Sequence, residues 1–425
     1  MRRHLATLLR EGDPRTLLAS FLYFDTSFMV WVLLGALGNF IADDLGLTGA
    51  QKGLMTALPV LSGAMLRLPL GAAADRFGGR RVGLFGLSLT LAPLATGWLL
   101  ADRLTVVYVV GLLLGVAGAS FAVALPLASR WYPPERQGLA LGIAGAGNSG
   151  TVLASLFAPR LAEAFGWQAV FGLAMVPVAA TIAVFALTAR DSPVQVAPPR
   201  LRDVAAVLRQ ADALWFCLFY GVTFGGFVGL ASYLAIFLRD QYGLSKVAAG
   251  DLTAACVFAG SFARPLGGLV ADRAGGIRAL LSLFTLVGAA ILAVSGMPPI
   301  GLSAALLFGS MALLGMGNGA VFQLVPQRFR REIGVATGLV GAAGGVGGFL
   351  LPFLLGFLQE LTGSYGPGFA LFALAALAAS RLLATVQRGW RRTWAPDGSP
   401  ARGGRPGWRR LPTPGQAIAV EADRQ

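Results

Sequence analysis

The chain has 425 residues and a formal net charge of +14 at pH 7, and it is 56% hydrophobic but only 13% charged. This composition excludes a soluble enzyme. The single histidine, His4, and the two isolated cysteines also exclude a histidine-dependent hydrolase and a metal site built from several such residues, so we expect neither metal nor cofactor.

Long apolar runs dominate the sequence. A helix needs about 20 apolar residues to cross a bilayer, and the chain contains roughly twelve such runs between short polar connectors. We therefore predict an all-α membrane protein with twelve transmembrane helices in two pseudo-symmetric six-helix bundles. The first run is too long, and too poor in a small-residue cleavage site, for a removable signal peptide. The predicted spans are 16–41, 50–75, 81–100, 104–129, 137–159, 167–188, 213–238, 247–271, 279–295, 300–326, 333–359 and 368–387.

The basic residues are distributed unevenly between the connectors. Most of the 34 Lys and Arg residues lie in the amino-terminus, the even-numbered connectors and the carboxyl tail. Basic residues in short loops stay cytoplasmic, so we expect both termini inside the cell, with the protein in the cytoplasmic membrane. The net charge is then a signal of topology and not of nucleic-acid binding. The opposite connectors hold only Lys52, Arg103, Arg160, Arg239 and Lys246.

The first span carries a carboxylate. Asp25 lies nine residues beyond Thr16, which is about 14 Å along a helix. An ionised carboxylate at that depth is costly, so Asp25 is a candidate functional residue.

Two arginines inside apolar spans begin the same downstream pattern, in which five positions recur with an offset of 197 residues. A guanidinium cannot lose its proton in an apolar phase and needs a compensating partner. Two of them at corresponding points of two halves predict one anion held between them. The alternative is a buried salt bridge for each arginine. The two copies are Arg67, Gly71, Asp75, Arg76, Gly78, Gly79 and Arg264, Gly268, Asp272, Arg273, Gly275, Gly276.

Both arginines reach the membrane centre. Each precedes the aspartate at the end of its span by eight residues, or about 12 Å of helix. Half of the bilayer core is about 15 Å. Repeated halves in membrane proteins bind their ligand near the midplane, between the two bundles.

Glycine-rich segments occur in spans 5 and 11, at Gly142–Gly150 and Gly338–Phe349. Small residues let helices approach closely in lipid, so these glycines act in packing, in ligand contact or in both. Asn148, a polar amide among the glycines, is interpreted as ligand-facing. The predicted packing glycines are Gly145, Gly147, Gly150, Gly341, Gly344 and Gly347.

The repeat and the composition divide the chain into four parts. We predict an amino-terminal bundle at 1–188, a cytoplasmic linker at 189–211, a carboxyl-terminal bundle at 212–387 and a tail at 388–425. A short surface helix is expected near Leu201–Leu208. The basic tail lacks an apolar face, so we expect it to be disordered and to lie on anionic lipid.

These motifs resemble those of a known family. The loop from Gly71 to Arg81 resembles the signature between spans 2 and 3 of the major facilitator superfamily, whose fold would cover the chain to about residue 388. The paired glycine-rich segments are similar to those of its nitrate/nitrite porter family. Further agreement lies in Phe24–Trp31 and in Gly317–Gln323.

The resemblance implies roles for matching positions. The two arginines would bind the oxyanion, Asn148 would donate a hydrogen bond, and the aromatic residues would wall the site, although aromatic residues in a bundle are ordinarily core. The loop residues Gly71, Asp75, Arg76, Gly268, Asp272 and Arg273 would latch helix ends and gate motion. The implied substrate-binding residues are Arg67, Arg264, Asn148, Tyr220, Phe224 and Phe121.

The resemblance implies a monomeric carrier that moves nitrate and nitrite by alternating access, as nitrate/proton symport or nitrate/nitrite antiport, and not an enzyme. Asp25 would then carry a co-transported proton, neutralise an arginine, or pack as a carboxylic acid. Two other functions stay open. One is a carrier for another small anion, a carboxylate or an organophosphate, and the other is an anion sensor without flux.

Overall fold

The computed structural model describes residues 12–132, 134–192, 201–329 and 333–393, and within these ranges it is helical and contains no strand. Among the described residues, eleven helical stretches are long and apolar enough to cross a membrane. The amino-terminal half comprises α1 (Pro14–Trp31), α2 (Leu33–Ala36), α3 (Gly38–Leu45), α4 (Gly49–Phe77), α5 (Gly79–Leu100), α6 (Leu104–Gly118), α7 (Phe121–Ser129), α8 (Pro134–Gly145), a 3-10 helix (Ala146–Ser149), α9 (Gly150–Phe165) and α10 (Trp167–Thr188).

The carboxyl-terminal half follows a short connecting helix, which is at the predicted position. The predicted tail begins within the last helix, which continues to Thr393, and residues 394–425 lie outside the described ranges, as do 193–200 of the linker. These elements are α11 (Leu201–Leu208), α12 (Ala211–Tyr242), α13 (Lys246–Ala274), α14 (Gly276–Ser295), α15 (Ile300–Arg328), α16 (Ile333–Thr362) and α17 (Gly366–Thr393).

The first predicted span differs most from expectation. It is not one helix but the three consecutive pieces α1, α2 and α3, with breaks at Val32 and Leu37. In α2, Gly35 lies against the backbone of Ser232 on α12, where any side chain at Gly35 would overlap the Ser232 carbonyl. The two chain segments cross here at van der Waals distance. None of the three pieces is by itself both long and apolar enough to span, so the count of twelve stays a prediction.

The internal repeat is also a repeat of structure. Gly78 and Gly275 both have φ near +90°, at +93° and +91°. Only glycine adopts this backbone conformation without strain, and both residues connect one span to the next by a tight turn. Helix contacts repeat with the same offset: α4 packs on the carbonyl of Pro352 through Gly53, and α13 packs on that of Ser155 through Gly250. The two contacts between the halves are therefore related by the repeat: each half supplies the glycine in one of them and the carbonyl in the other.

The side of the membrane on which α1 begins and α17 ends is called the terminal side, and the other is the opposite side. On the opposite side the two halves are joined by ion pairs. Four of the five basic residues that the sequence assigns there take part, with nitrogen–oxygen distances of 2.6–2.8 Å. This opposite-side clamp consists of Lys52–Asp240, Arg160–Asp251, Arg239–Asp43 and Lys246–Asp43.

The terminal side is arranged differently. Among the described residues of this side, the ion pairs Asp75–Arg130 and Asp212–Arg328 each lie within one half. A side chain added at Gly142 of α8 or Gly268 of α13 would meet only open space. The ion pairs of the clamp thus join the halves on the opposite side, and open space lies beside Gly142 and Gly268 on the terminal side.

Candidate functional site

Arg67 is the most deeply buried charge among the described residues, with 2% of its surface exposed. It lies on α4, ten residues before the helix ends at Phe77, or about 15 Å from that end. Its Nε donates to the carbonyl of Gly118, and its Nη1 donates to the carbonyl of Gly341 on α16 in the other half. The guanidinium thus bridges the two halves through a backbone acceptor.

Aromatic rings surround this guanidinium. Its Cζ lies 5.0 Å from the ring centre of Phe224, 5.3 Å from that of Phe121 and 5.7 Å from that of Trp31. Such distances allow cation–π attraction. Arg67 makes no ion pair with a carboxylate in the described part of the chain, and its Nη2 has no hydrogen-bond partner there. The salt-bridge alternative therefore does not hold for Arg67 in this conformation.

Arg264 occupies the corresponding position on α13 but has different surroundings. It is half-buried, and one ring, that of Phe322, lies 5.8 Å from its Cζ. Its Nη1 is buried and has no acceptor among the residues that the structure describes. Arg264 is likewise free of any ion pair there, so a donor remains for a ligand.

A continuous aromatic wall connects the two arginines. Tyr220 and Phe224 stack on one face of α12, with ring centres 5.0 Å apart and planes at 7°. Phe322 meets Tyr220 edge-on at 4.8 Å and Phe121 at 6.3 Å. The Tyr220 hydroxyl is within electrostatic range of both guanidiniums. The structure thus brings together five of the six residues to which the resemblance assigned substrate binding.

The glycine-rich segment of α16 shapes this wall. At Gly344 an added Cβ would lie 2.5 Å from the Tyr220 ring and 3.0 Å from Phe224. At Gly341 it would lie 3.7 Å from Phe121, which is ordinary contact. Gly347 packs on the backbone of Gly221, so side chains are excluded where the helices touch. Packing and ligand contact are therefore both compatible with this segment.

The corresponding segment of span 5 is interrupted by the 3-10 helix Ala146–Ser149. On either side of Asn148, Gly147 and Gly150 pack against Phe24 and Asp25 of α1, whereas a side chain at Gly145 would meet open space. The prediction that Gly145 packs on another helix is thus not met in this conformation.

Asn148 is buried at 2% exposure, and its Oδ1 accepts no hydrogen bond within the described ranges. The 3-10 helix contacts α13, the helix that carries Arg264. Asn148 is therefore at the interface of the halves with an unused amide. A direct contact between Asn148 and the guanidiniums is not part of this arrangement.

Asp25 is partly buried beside the same 3-10 helix. Its Oδ1 accepts a hydrogen bond of 2.5 Å from the Ser149 hydroxyl. In the part of the chain that the structure describes, Asp25 pairs with no arginine, so the counter-ion role is not met here. Proton carriage and packing stay open.

The repeated Asp and Arg residues of the loop lie in the last turn of their helices, as predicted, whereas Gly71 and Gly268 lie one turn from the central arginines. Asp75 binds Arg130 at the end of α7, and Asp272 accepts from Gln323 of α15. Both contacts tie one span to another within a half. Arg76 and Arg273 are exposed, Gly71 packs on Ala122, and Gly268 faces open space. Their role in gating stays a prediction.

Two aromatic contacts of the site were not predicted. Trp31 lies against Arg67 and donates from Nε1 to the carbonyl of Pro59, and Phe322 lies against Arg264. Both residues occur in motifs that agree with the family. For Phe322 the sequence did contain a signal: it follows Asn318 by four residues and therefore shares its helix face.

Comparison with known proteins identifies the family. The model of the Major Facilitator Superfamily matches residues 19–352. The nitrite extrusion protein of Bacillus subtilis (strain 168) is 36% identical over 83% of this chain and 89% of its own. The probable nitrate/nitrite transporter NarK2 of Mycobacterium tuberculosis is 35% identical over 83% and 91%, respectively. The chain belongs to the nitrate/nitrite porter family of the major facilitator superfamily.

Other comparisons agree with this membership. The probable nitrate transporter NarT of Staphylococcus carnosus is 33% identical over 82% of this chain and 89% of its own. A solved bacterial homologue of the human lysosomal transporter Spinster, in an inward-facing and occupied conformation, superposes with a TM-score of 0.66 at 19% identity, over 89% of this chain and 96% of its own. That likeness concerns the fold alone. The protein is thus a multi-pass membrane transporter of this superfamily and not an enzyme.

Proposed function

We propose that this protein carries nitrate and nitrite across the cytoplasmic membrane and binds the anion between Arg67 and Arg264. One observation carries the proposal. Two guanidiniums lie at the interface of the two halves, and neither is neutralised by a carboxylate in the described ranges. Relatives named for nitrate and nitrite transport support this choice of anion.

The chemistry of arginine fits a flat oxyanion. Its planar fork binds two adjacent oxygens at once, which the point charge of lysine cannot do. The aromatic wall excludes water around one side of this site, and a low-dielectric setting strengthens each charge-assisted hydrogen bond. Larger or divalent anions would need further cationic residues, and the other arginine deep in a predicted span, Arg381, is an exposed side chain of the last helix.

The arrangement of the halves supports transport by alternating access. The opposite-side clamp closes one exit, while Gly268, one turn from Arg264 towards the terminal side, faces open space. The distribution of basic residues favours a cytoplasmic terminal side. An empty site holds two positive charges and one monovalent anion neutralises one of them, so the unloaded carrier resists closing. This reluctance favours exchange of one anion for another.

Asp25 is our candidate for coupling to protons. It lies next to Asn148 through its bond to Ser149, so its protonation would alter the 3-10 helix beside the site. In Asp25→Asn we expect nitrate uptake to lose its dependence on a pH gradient, with Ser149→Ala as a matched control that keeps the carboxylate. Retained pH-driven accumulation in Asp25→Asn would exclude this role.

Counterflow into proteoliposomes tests the whole proposal. Purified protein is reconstituted with trapped nitrate or nitrite, and entry of labelled nitrate is followed with and without a pH gradient. We expect entry in both cases and none in protein-free liposomes. Stimulation by trapped nitrite indicates antiport, and stimulation by an acidic exterior indicates symport. Flux of carboxylates or organophosphates alone would support the other carrier, and nitrate binding without flux would support a sensor.

A further inference from the structure

A buried asparagine on α15, Asn318, is not explained by packing. It is 1% exposed, and its Oδ1 makes no hydrogen bond to any residue in the described ranges. A buried polar group without a partner costs free energy, and such groups in native proteins mark a function or a missing ligand. A hydrogen bond between helices, the ordinary role of asparagine in a membrane, is therefore not its role in this conformation.

The neighbours of Asn318 define where it lies. An added Cβ at Gly317 would lie 2.6 Å from Thr223 on α12, next to Phe224. Gly319 lies directly against the backbone of Arg264 on α13. The residue between them therefore projects into the space between α12 and α13.

The internal repeat locates Asn318 independently. With the offset of 197 Asn318 corresponds to Phe121, and contacts that precede and follow this position in the sequence confirm the alignment of the two halves. Gly118 lies against Gly63 as Gly315 lies against Gly260, and these pairs share the offset. Phe121 lies 5.3 Å from the Arg67 guanidinium. By the same relation, Asn318 corresponds to a residue that faces the arginine of its own half.

A contact that follows Asn318 in the sequence supports the same alignment of the two halves. Leu127 packs on Gly79, and Leu324 packs on Gly276, again with the offset of 197. In addition, Phe322 lies one helical turn from Asn318 on the same face, and its ring lies 5.8 Å from the Arg264 Cζ. Three separate relations thus direct Asn318 towards Arg264.

Further polar groups without partners surround this point. The Thr223 hydroxyl and the Nη1 of Arg264 are both buried, and neither has a hydrogen-bond partner among the described residues. In the other half, the hydroxyl equivalent to Thr223 is Thr26, which is bound to Thr181 at 2.8 Å. The corresponding position to Thr181 is Ala378, which has no hydroxyl. At this one position the carboxyl-terminal half therefore leaves unused a hydroxyl that the amino-terminal half employs in packing.

We propose that Asn318 is a substrate-contacting residue, and that its amide and the free Nη1 of Arg264 together bind the anion from the carboxyl-terminal half. A half-turn about the Cβ–Cγ bond presents Nδ2 to an anion oxygen, beside the arginine donor. This inference rests on the proposed function. It adds to the aromatic wall a second surface that recognises the anion by hydrogen bonds.

The decisive variant is Asn318→Leu, which keeps the volume of the side chain but removes its amide. We expect the apparent KM for nitrate in counterflow to rise about tenfold or more, as for the loss of a hydrogen bond to a charged group. The melting temperature in detergent should stay the same or rise, because the variant removes an unsatisfied buried group. Ser310→Ala is the matched control, since Ser310 is also buried on α15 without a partner in the described ranges, about 12 Å away.

A second variant covers the case in which Asn318→Leu does not fold. Asn318→Asp has nearly the same shape but replaces the donor by a negative charge beside Arg264. We expect it to lose nitrate-induced quenching of tryptophan fluorescence as well as uptake.

The outcomes separate this inference from the proposed function. A KM for Asn318→Leu within twofold of the unmodified protein, or retained nitrate binding by Asn318→Asp, would overturn the role of Asn318 alone. If the unmodified protein moves neither nitrate nor nitrite, both proposals fall.

Discussion

The two central arginines occupy equivalent positions of a repeated sequence, yet their surroundings differ. Arg67 is almost completely buried, donates to two backbone carbonyls and lies among three aromatic rings. Arg264 is half-buried, has one ring beside it and keeps a free buried donor within the described structure. The first guanidinium is held in place by backbone carbonyls before any anion arrives, and the second is not. Each keeps one buried nitrogen without an acceptor in the described ranges, Nη2 of Arg67 and Nη1 of Arg264.

This difference gives the two arginines separate roles, whereas in a symmetric site both would have the same role. A residue fixed by the backbone supplies a constant charge and holds the halves in register. A residue that is only half-buried, as Arg264 is, can capture the anion first. Substitutions should therefore affect the two arginines in different ways, even though both are required for transport.

The largest effect is expected for replacement of either arginine by lysine. Arg67→Lys and Arg264→Lys should each reduce nitrate uptake more than hundredfold, because lysine cannot bind two oxygens of a planar anion at once. Only Arg67→Lys should also lower the melting temperature, since it loses a bond to Gly341 across the halves. Uptake and thermal unfolding in detergent are measured side by side. Normal uptake by either variant would contradict the assignment of the binding site. Equal melting temperatures for the two variants would contradict the different structural roles of Arg67 and Arg264.

A smaller effect is expected in the aromatic wall. Gly344→Ala places a Cβ 2.5 Å from the Tyr220 ring, and overpacking of this kind costs about 1–3 kcal/mol. We expect a rise of about tenfold in the apparent KM for nitrate. Gly334→Ala is the control, because Gly334 lies on the same helix and its Cβ would meet only open space. The same KM for both variants would contradict the role of the wall.

Asn148 should act on affinity more than on stability. Its buried Oδ1 has no partner in the described ranges, so Asn148→Ala removes no internal bond of the side chain. The apparent KM for nitrate should rise about tenfold, as for a lost hydrogen bond to an anion, while the melting temperature changes little. An unchanged KM with a lowered melting temperature would return Asn148 to helix packing.

The smallest effect is expected at the opposite-side clamp. The Asp43 side chain is 47% exposed, and exposed ion pairs contribute about 0–1 kcal/mol. Asp43→Asn should therefore only increase the fraction of molecules whose opposite side is open. Spin labels attached at the exposed positions Asp102 and Ile300 would report this as a longer distance between the halves. Unaltered distances in the variant would remove the clamp from the mechanism.

The clamp should also be insensitive to pH near neutrality. Burial raises the pKa of the Asp43 carboxyl, but hydrogen bonds from Lys246 and Arg239 outweigh it and hold the pKa below its ordinary value. A lowered carboxylate pKa stabilises the closed side above the ordinary value, and this contribution is lost only as pH falls through the lowered one. Label distances should thus stay constant from pH 8 to pH 5. A change within this window would assign pH sensing to the clamp instead of Asp25.

Local patterns predicted the helices well. The sixth span was predicted at 167–188 and forms Trp167–Thr188, and the short helix of the linker forms at Leu201–Leu208. Apolar run length and glycine turns decide these elements, and both are readable in the sequence. The breaks in the first and fifth spans were not predicted. They lie close to Gly35 and Gly150, which touch helices far away in the sequence, and local patterns do not indicate such contacts.

The site was predictable in its residue types but not in its asymmetry. Charge at membrane depth identified Arg67, Arg264 and Asp25 without a structure. The contact of Arg67 with Gly341 joins residues 274 positions apart, and nothing in either segment indicates it. For the same reason Asn318 could not be separated from an ordinary packing residue until its missing partner was visible.

The anchor of Arg67 on the Gly341 carbonyl has a consequence for how this protein tolerates change. A main-chain acceptor is present whichever amino acid occupies the position, so no exchange of side chain can delete it. Mutational scans would therefore register this link only through the bulk added at position 341, and second-site revertants of Arg67 variants should be sought in residues that shift the path of α16.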